Sequence, residues 1–139
     1  MLRNYKEVAM TLTQFIKKYK GTKVDWDGKH GPQCVDLYRQ YINDVWGVPQ
    51  TPSVVGAKDI IANPGGLPVT KDSLLADYAK GDVLIWGATK SNPYGHVAIL
   101  VAIYNTKYFI VLEQDGFKKD GVKLEFRSRE GLLGCLYKM

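Results

Sequence analysis

Cys34 falls where a helical pattern begins. A helix N-terminus carries partial positive charge and unpaired N–H groups. Both favour a thiolate over a thiol, and the thiolate is the nucleophile. The competing reading is an inert cysteine, since free cysteine is among the most buried residue types. A nucleophilic cysteine needs a base, and histidine titrates in the right range. The chain offers His30 and His96, and either can instead be a surface histidine. His96 is the better candidate. It opens a strand after the loop Ser91-Asn92-Pro93-Tyr94-Gly95, so a rigid element carries it while the preceding glycine gives room to approach.

An imidazole base needs a third group to orient it. Glu113-Gln114-Asp115 ends the next strand and offers two carboxylates. Strand parity tests them. A two-residue hairpin turn at Asn105-Thr106 pairs Tyr104 with Lys107, which sets Asp115 opposite His96 and Glu113 opposite Ala98. Both carboxylates then share the histidine's face, because side chains alternate with period two. A three-residue turn would put Gln114 there instead. At least one carboxylate is expected to be a solvent-facing strand cap.

A second pattern overlaps the nucleophile. Asp25 to Asp36 has the twelve-residue length of an EF-hand calcium loop. Acids fall at positions 1, 3 and 12, as Asp25, Asp27 and Asp36. Lys29 and Gly31, at positions 5 and 7, can offer only backbone carbonyls. The sixth position is His30 where glycine is usual, and Asp replaces the usual Glu at the last. Two Asp in a turn are more often plain turn formers. The location gives the pattern its interest: a Ca²⁺ ion there would fix the entry to the helix that carries Cys34.

Helices must come first and strands second. Tyr5, Val8, Leu12, Phe15, Ile16 and Tyr19 recur at helical spacing with lysines opposite, and Gly21 suits the stop. Val35, Tyr38, Tyr41, Ile42 and Val45 predict a second helix, from Gln33 or Cys34 to just before Gly47. The stretch 49–80 is irregular, with a short helix expected near Ala57–Ala62. Beyond Gly81 the period changes. Strands are expected at 82–86, 96–104, 108–114, 122–127 and 132–137. Helices followed by an antiparallel meander make an α+β class.

The length of 139 residues suits one domain, with 45% hydrophobic and 24% charged residues, an ordinary globular composition. Disorder, collagen and coiled coil are excluded. Nineteen Lys and Arg against fourteen Asp and Glu give +5 and a pI near 9.1, which favours polyanionic partners without naming one. No recognised motif supports nucleic-acid binding. Cys34 and Cys135 make no disulfide scaffold, and Cys135 reads as structural. Trp26, Trp46 and Trp86 read as core before binding surface. The run Val97–Tyr104 is too short to span a bilayer. The first residues lack the apolar core of a signal peptide, so synthesis in the cytosol is expected, with release by some other agent if the protein acts outside.

Taken in order, Gln33-Cys34-Val35-Asp36-Leu37, Gly81-Asp82-Val83 with Trp86, Gly95-His96-Val97-Ala98 and Leu112-Glu113-Gln114-Asp115 resemble the CHAP domain (cysteine, histidine-dependent amidohydrolase/peptidase) of bacteriophage endolysins. The resemblance implies a papain-like α+β fold, with N-terminal helices packed on an antiparallel sheet, in one domain over 1–139. It implies Cys34 as nucleophile, His96 as general base, Glu113 as orienting carboxylate and Gln33 as an aid to the oxyanion hole. Family members often have Asn where this chain has Asp115. Some bind Ca²⁺ in the loop matching Asp25, Asp27, Lys29, Gly31 and Asp36. The implied substrate is an amide of bacterial peptidoglycan, either N-acetylmuramoyl–L-alanine or a bond of the stem peptide or cross-bridge. Anionic wall polymers would suit the positive charge, with no nucleic acid, no membrane and a monomer expected. A catalytically silent wall-binding module and a papain-like protease acting on proteins are the alternatives.

Overall fold

A computed structural model describes residues 10–49, 51–72 and 74–138. Helix α1 is Leu12–Tyr19. Thr11 caps it: its hydroxyl accepts from Gln14 N, and Gln14 Oε1 accepts from Thr11 N. This reciprocal pair satisfies two orphan donors at the helix start. Leu12 and Phe15 are buried, and Lys17 and Lys18 lie in the last turn, where cations suit the helix dipole. Tyr5 and Val8 of the expected helix lie outside the described residues. Helix α2 is Cys34–Trp46 and ends on Gly47 in the left-handed conformation at φ 72°, the backbone state that favours glycine at a helix stop.

A 3-10 turn at Ala57–Ile60 stands where the short helix is expected, and a second covers Leu75–Asp77. The strands are β1 (Val69–Lys71), β2 (Val83–Trp86), β3 (His96–Ile103), β4 (Tyr108–Gln114), β5 (Val122–Ser128) and β6 (Leu132–Leu136). They form one antiparallel sheet in the order β1-β6-β2-β3-β4-β5. The α+β class stands, but the plain meander does not. β6 returns past the hairpins to pair with β2, and β1, which the sequence reading passes over, closes the edge beyond it. That edge is tight. A Cβ on Gly134 would run into the carbonyl oxygen of Thr70, so only glycine lets β6 approach β1.

Alternation along the strands makes two cores. Val83, Ile85, Val97, Ile99 and Leu112 pack with Phe15, Leu37, Tyr41 and Ile42 of the helices. Leu84, Trp86, Ala98, Leu100, Phe109, Val111 and Cys135 form a second cluster with Tyr78.

The β3–β4 hairpin differs from the two-residue turn. Tyr104 N and Asn105 N both donate to Tyr108 O, so Asn105, Thr106 and Lys107 make the turn. Alone, that turn would bring Gln114 to the histidine's face. A register shift between Leu100 and Ala102 adds one residue to β3 and restores the pairing Ile99↔Leu112. Such a bulge offsets a strand by one residue. Continued to the strand end, this register sets Glu113 beside Ala98, on the side of His96.

Candidate active site

Three segments bring the candidate residues together. Helix α2 presents Cys34 at its first turn, where the N–H of Cys34 has no intrahelical partner. β3 presents His96 at its first residue, and β4 presents Glu113 near its last. His96 and Glu113 are buried while Cys34 is half-buried. His96 Nε2 and Glu113 Oε1 are 3.1 Å apart, and the Cys34 side chain stands close enough to the ring to bear on its protonation. The three side chains form a line of sulfur, imidazole and carboxylate.

The electrostatics of the line are coupled. Burial on its own would lower the His96 pKa, but hydrogen bonds to Cys34 and Glu113 outweigh it and raise it to about 9. Burial would raise Glu113, yet hydrogen bonds from His96 and Arg127 bring it down to about 2. The geometry therefore favours an imidazolium facing an ionised carboxylate.

Arg127 on β5 is a group the sequence reading did not single out. Its Nε lies 2.6 Å from Glu113 Oε1 and its Nη2 lies 2.9 Å from Oε2. The only signal in the sequence is an arginine on an alternating strand. Gln114, offered by strand parity only as an alternative on the histidine's face, points the other way and ties two segments together. Its side chain is buried, accepts from Val24 N at 2.7 Å, and donates to Val24 O at 2.7 Å and to Gln33 O at 2.8 Å. It thereby ties the loop before α2 to the end of β4.

Asp115 and Gln33 sit beside the line. Asp115 Oδ1 accepts from Phe117 N at 2.8 Å, a local turn contact. Gln33 is exposed and its Nε2 donates to His30 O at 3.3 Å. A Cβ on Gly116 would press on the Gln33 side chain, so the loop after β4 lies against the residue before Cys34. Gly95, at φ 76°, passes so near the Trp86 carbonyl that a Cβ would strike it, which fixes the approach of His96. Trp86 is core, Trp46 packs edge-on to Tyr41, and Trp26 is half-buried.

Cys34 and His96 open onto a cleft of about 580 Å³, walled by Val54, Tyr94 and Phe117 among others. Next to it, ligand atoms of Asp25, Asp27 and Asp36 lie within 4.8 Å of one another. Burial pushes Asp36 up to about 6, against the hydrogen bond from Gln33 N, and the Asp27 and Asp25 charges add to the rise. His30, at the sixth loop position, takes φ 63°, the left-handed state for which glycine is usual there. Lys29 N donates to Asp27 Oδ1 at 2.9 Å, and Gly31 is also left-handed at φ 73°.

Comparison with known proteins gives the family and the fold of the chain. Residues 23–115 match the family model of the CHAP domain. Endolysin PlyTW of Staphylococcus phage Twort is 34% identical over 113 residues, covering 73% of this chain and 22% of that protein. The solved structure of the endolysin LysIME-EF1 superposes with a TM-score of 0.73 at 20% identity, over 99% of this chain and 65% of that one. Ly7917 gives 0.69 at 19% identity, over 98% and 63%. The chain thus spans about a fifth of the phage relative and under two thirds of each solved chain. The family match covers the loop before α2, Cys34, His96 and Glu113 together, and the chain belongs to the CHAP domain family.

Proposed function

We propose that this chain hydrolyses an amide bond of bacterial peptidoglycan by thiol catalysis, as the catalytic part of a phage lysin. The observation that supports this most is the His96 ring, held 3.1 Å from the buried Glu113 carboxylate and opening with Cys34 onto one cleft. The likeness to a phage endolysin supports the choice of substrate.

The Cys34 thiolate attacks the amide carbon. The oxyanion that forms meets the free Cys34 N–H at the helix start, with the Gln33 side chain near it. The C–N bond breaks as His96 gives its proton to the leaving amine, and a thioester remains. His96 then takes a proton from water, the hydroxide attacks the thioester, and the sulfur leaves. Glu113 holds the ring and balances its charge throughout. Asp115 shapes the loop beside Gln33.

Asp25, Asp27 and Asp36, with the carbonyls of Lys29 and Gly31, form a hard oxygen donor set that fits Ca²⁺. Three carboxylates this close repel one another, and that repulsion adds to the burial that raises the Asp36 pKa. A cation would relieve it and stiffen the loop leading to Cys34. The positive net charge suits anionic wall polymers, an attraction that salt would weaken. The protein would act as a monomer on the wall, after synthesis in the host cytoplasm.

Mass spectrometry of digested peptidoglycan tests the reading. Free L-alanine amino termini identify the N-acetylmuramoyl–L-alanine bond, and new termini within the peptides identify a stem or cross-bridge bond. Intact wall with peptides released from casein instead would overturn the reading in favour of a protein protease.

A further inference from the structure

Glu113 is all but sealed from solvent, with its side chain 1% exposed, while the Arg127 side chain that holds it is 31% exposed. The guanidinium engages both carboxylate oxygens. Such a two-point fork fixes the plane of a carboxylate, which a single ammonium cannot do. Oε1 is shared between Arg127 Nε and His96 Nε2, so the angle at which the carboxylate meets the ring is set from behind. Arg127 also stacks on Trp86, 5.7 Å from the ring centroid. Trp86 in turn lies 5.9 Å from the His96 ring, tilted by 45°, and is pinned by its indole N–H to Ser128 O at 2.9 Å.

We propose that Arg127 is a positioning residue for the Cys34–His96 chemistry, fixing the plane of the Glu113 carboxylate and, through Trp86, the tilt of the His96 ring. This rests on the hydrolytic reading of the site. The charged groups that face the line are Cys34 from α2, Glu113 from β4, Asp115 from the loop after it, and Arg127 and Lys123 from β5. Lys123 is engaged by Asp120 at 2.9 Å and by Glu125 at 3.6 Å. Arg127 is therefore the cation bonded to the orienting carboxylate. Its charge also works against the His96 proton that Cys34 and Glu113 hold. A general acid must release that proton to the leaving amine, so a cation behind the carboxylate helps the second half of the step.

Arg127→Met and Arg127→Lys, made in the full chain, test this with a soluble peptidoglycan fragment as substrate. Loss of the fork should lower kcat roughly 10- to 100-fold in Arg127→Met while KM changes little, the pattern of misplaced catalytic groups. The acid limb of the pH–rate profile should move up, because Glu113 loses the cation that makes two of its hydrogen bonds. Arg127→Lys should bring the limb back and restore only part of kcat, since charge returns without the fork. Nitrogen NMR of the His96 ring, read without substrate, should show its titration displaced to higher pH in Arg127→Met. That readout separates the two claims: a displaced titration in a protein that leaves peptidoglycan intact refutes the hydrolase reading and keeps the positioning role. Unchanged kcat with an unmoved His96 titration would overturn the proposal. If Arg127→Met fails to fold, Arg127→Lys decides, and wild-type kcat in that variant overturns it.

Discussion

Gln114 Nε2 lies 2.8 Å from the carbonyl oxygen of Gln33, 81 residues earlier in the chain. That carbonyl is also where α2 begins its hydrogen bonding, accepting from Asp36 N at 3.1 Å and Leu37 N at 3.4 Å. One buried amide thus couples the end of β4, which bears Glu113, to the turn of helix that bears Cys34. Glu113 and Gln114 are neighbours pointing to opposite faces: one is bonded to the His96 imidazole and the other anchors the helix that bears Cys34.

Replacing Gln114 by Leu should therefore harm catalysis and stability together. It leaves Val24 N–H, Val24 C=O and one lone pair of Gln33 without their partner. Unmade buried hydrogen bonds of this kind cost about 1–3 kcal/mol each when no water enters. We expect a loss of roughly 3 kcal/mol in urea unfolding, with a lower kcat.

Glu113 gives the pH dependence of folding. Its pKa of about 2, against 4.5 in the ordinary range, adds stability that is present above 4.5 and lost as pH falls through 2. His96, raised from 6.5 to about 9, adds stability that is full below 6.5 and lost as pH rises through 9. Glu113→Ala should thus cost most between these limits, about 3 kcal/mol near neutral pH, as for a broken buried ion pair. The deficit should shrink toward both extremes. A deficit constant across the range would contradict the coupling.

Chelation tests the acidic loop. EDTA should lower the melting temperature and the wall-clearing rate, and added Ca²⁺ should restore both. Asp27→Asn should weaken the response to Ca²⁺ while leaving the Cys34–His96 line intact. Identical melting curves with and without the chelator would remove the metal from the account.

The two thiols should differ sharply toward alkylation. Cys135 is fully buried, and burial together with the neighbouring Asp82 charge pushes its pKa up to about 12. Cys34 opens on the cleft. Iodoacetamide on the native protein, followed by peptide mapping, should find the label on Cys34 and leave Cys135 free.

Much of this was legible because local rules dominate it. The start of α2 at Cys34, its stop at Gly47 and the strands at His96 and Glu113 follow from periodicity and breakers. The hairpin shows the limit. Three turn residues and a bulge at Val101 cancel in parity, so Glu113 reaches the histidine's side by a route that alternation alone does not specify. The partnership of Arg127 and the pairing of β6 with β2 are long-range, and no local pattern encodes them. β1, three residues at an edge, is too short to show a period.

The central claim is that the sulfur of Cys34 is the nucleophile that opens peptidoglycan. Turbidity of purified Gram-positive cell walls, followed with the wild-type chain and with Cys34→Ala at matched folded concentration, tests it most directly. The account predicts clearing by the wild type and a flat trace for Cys34→Ala. Clearing at the wild-type rate by Cys34→Ala would contradict it.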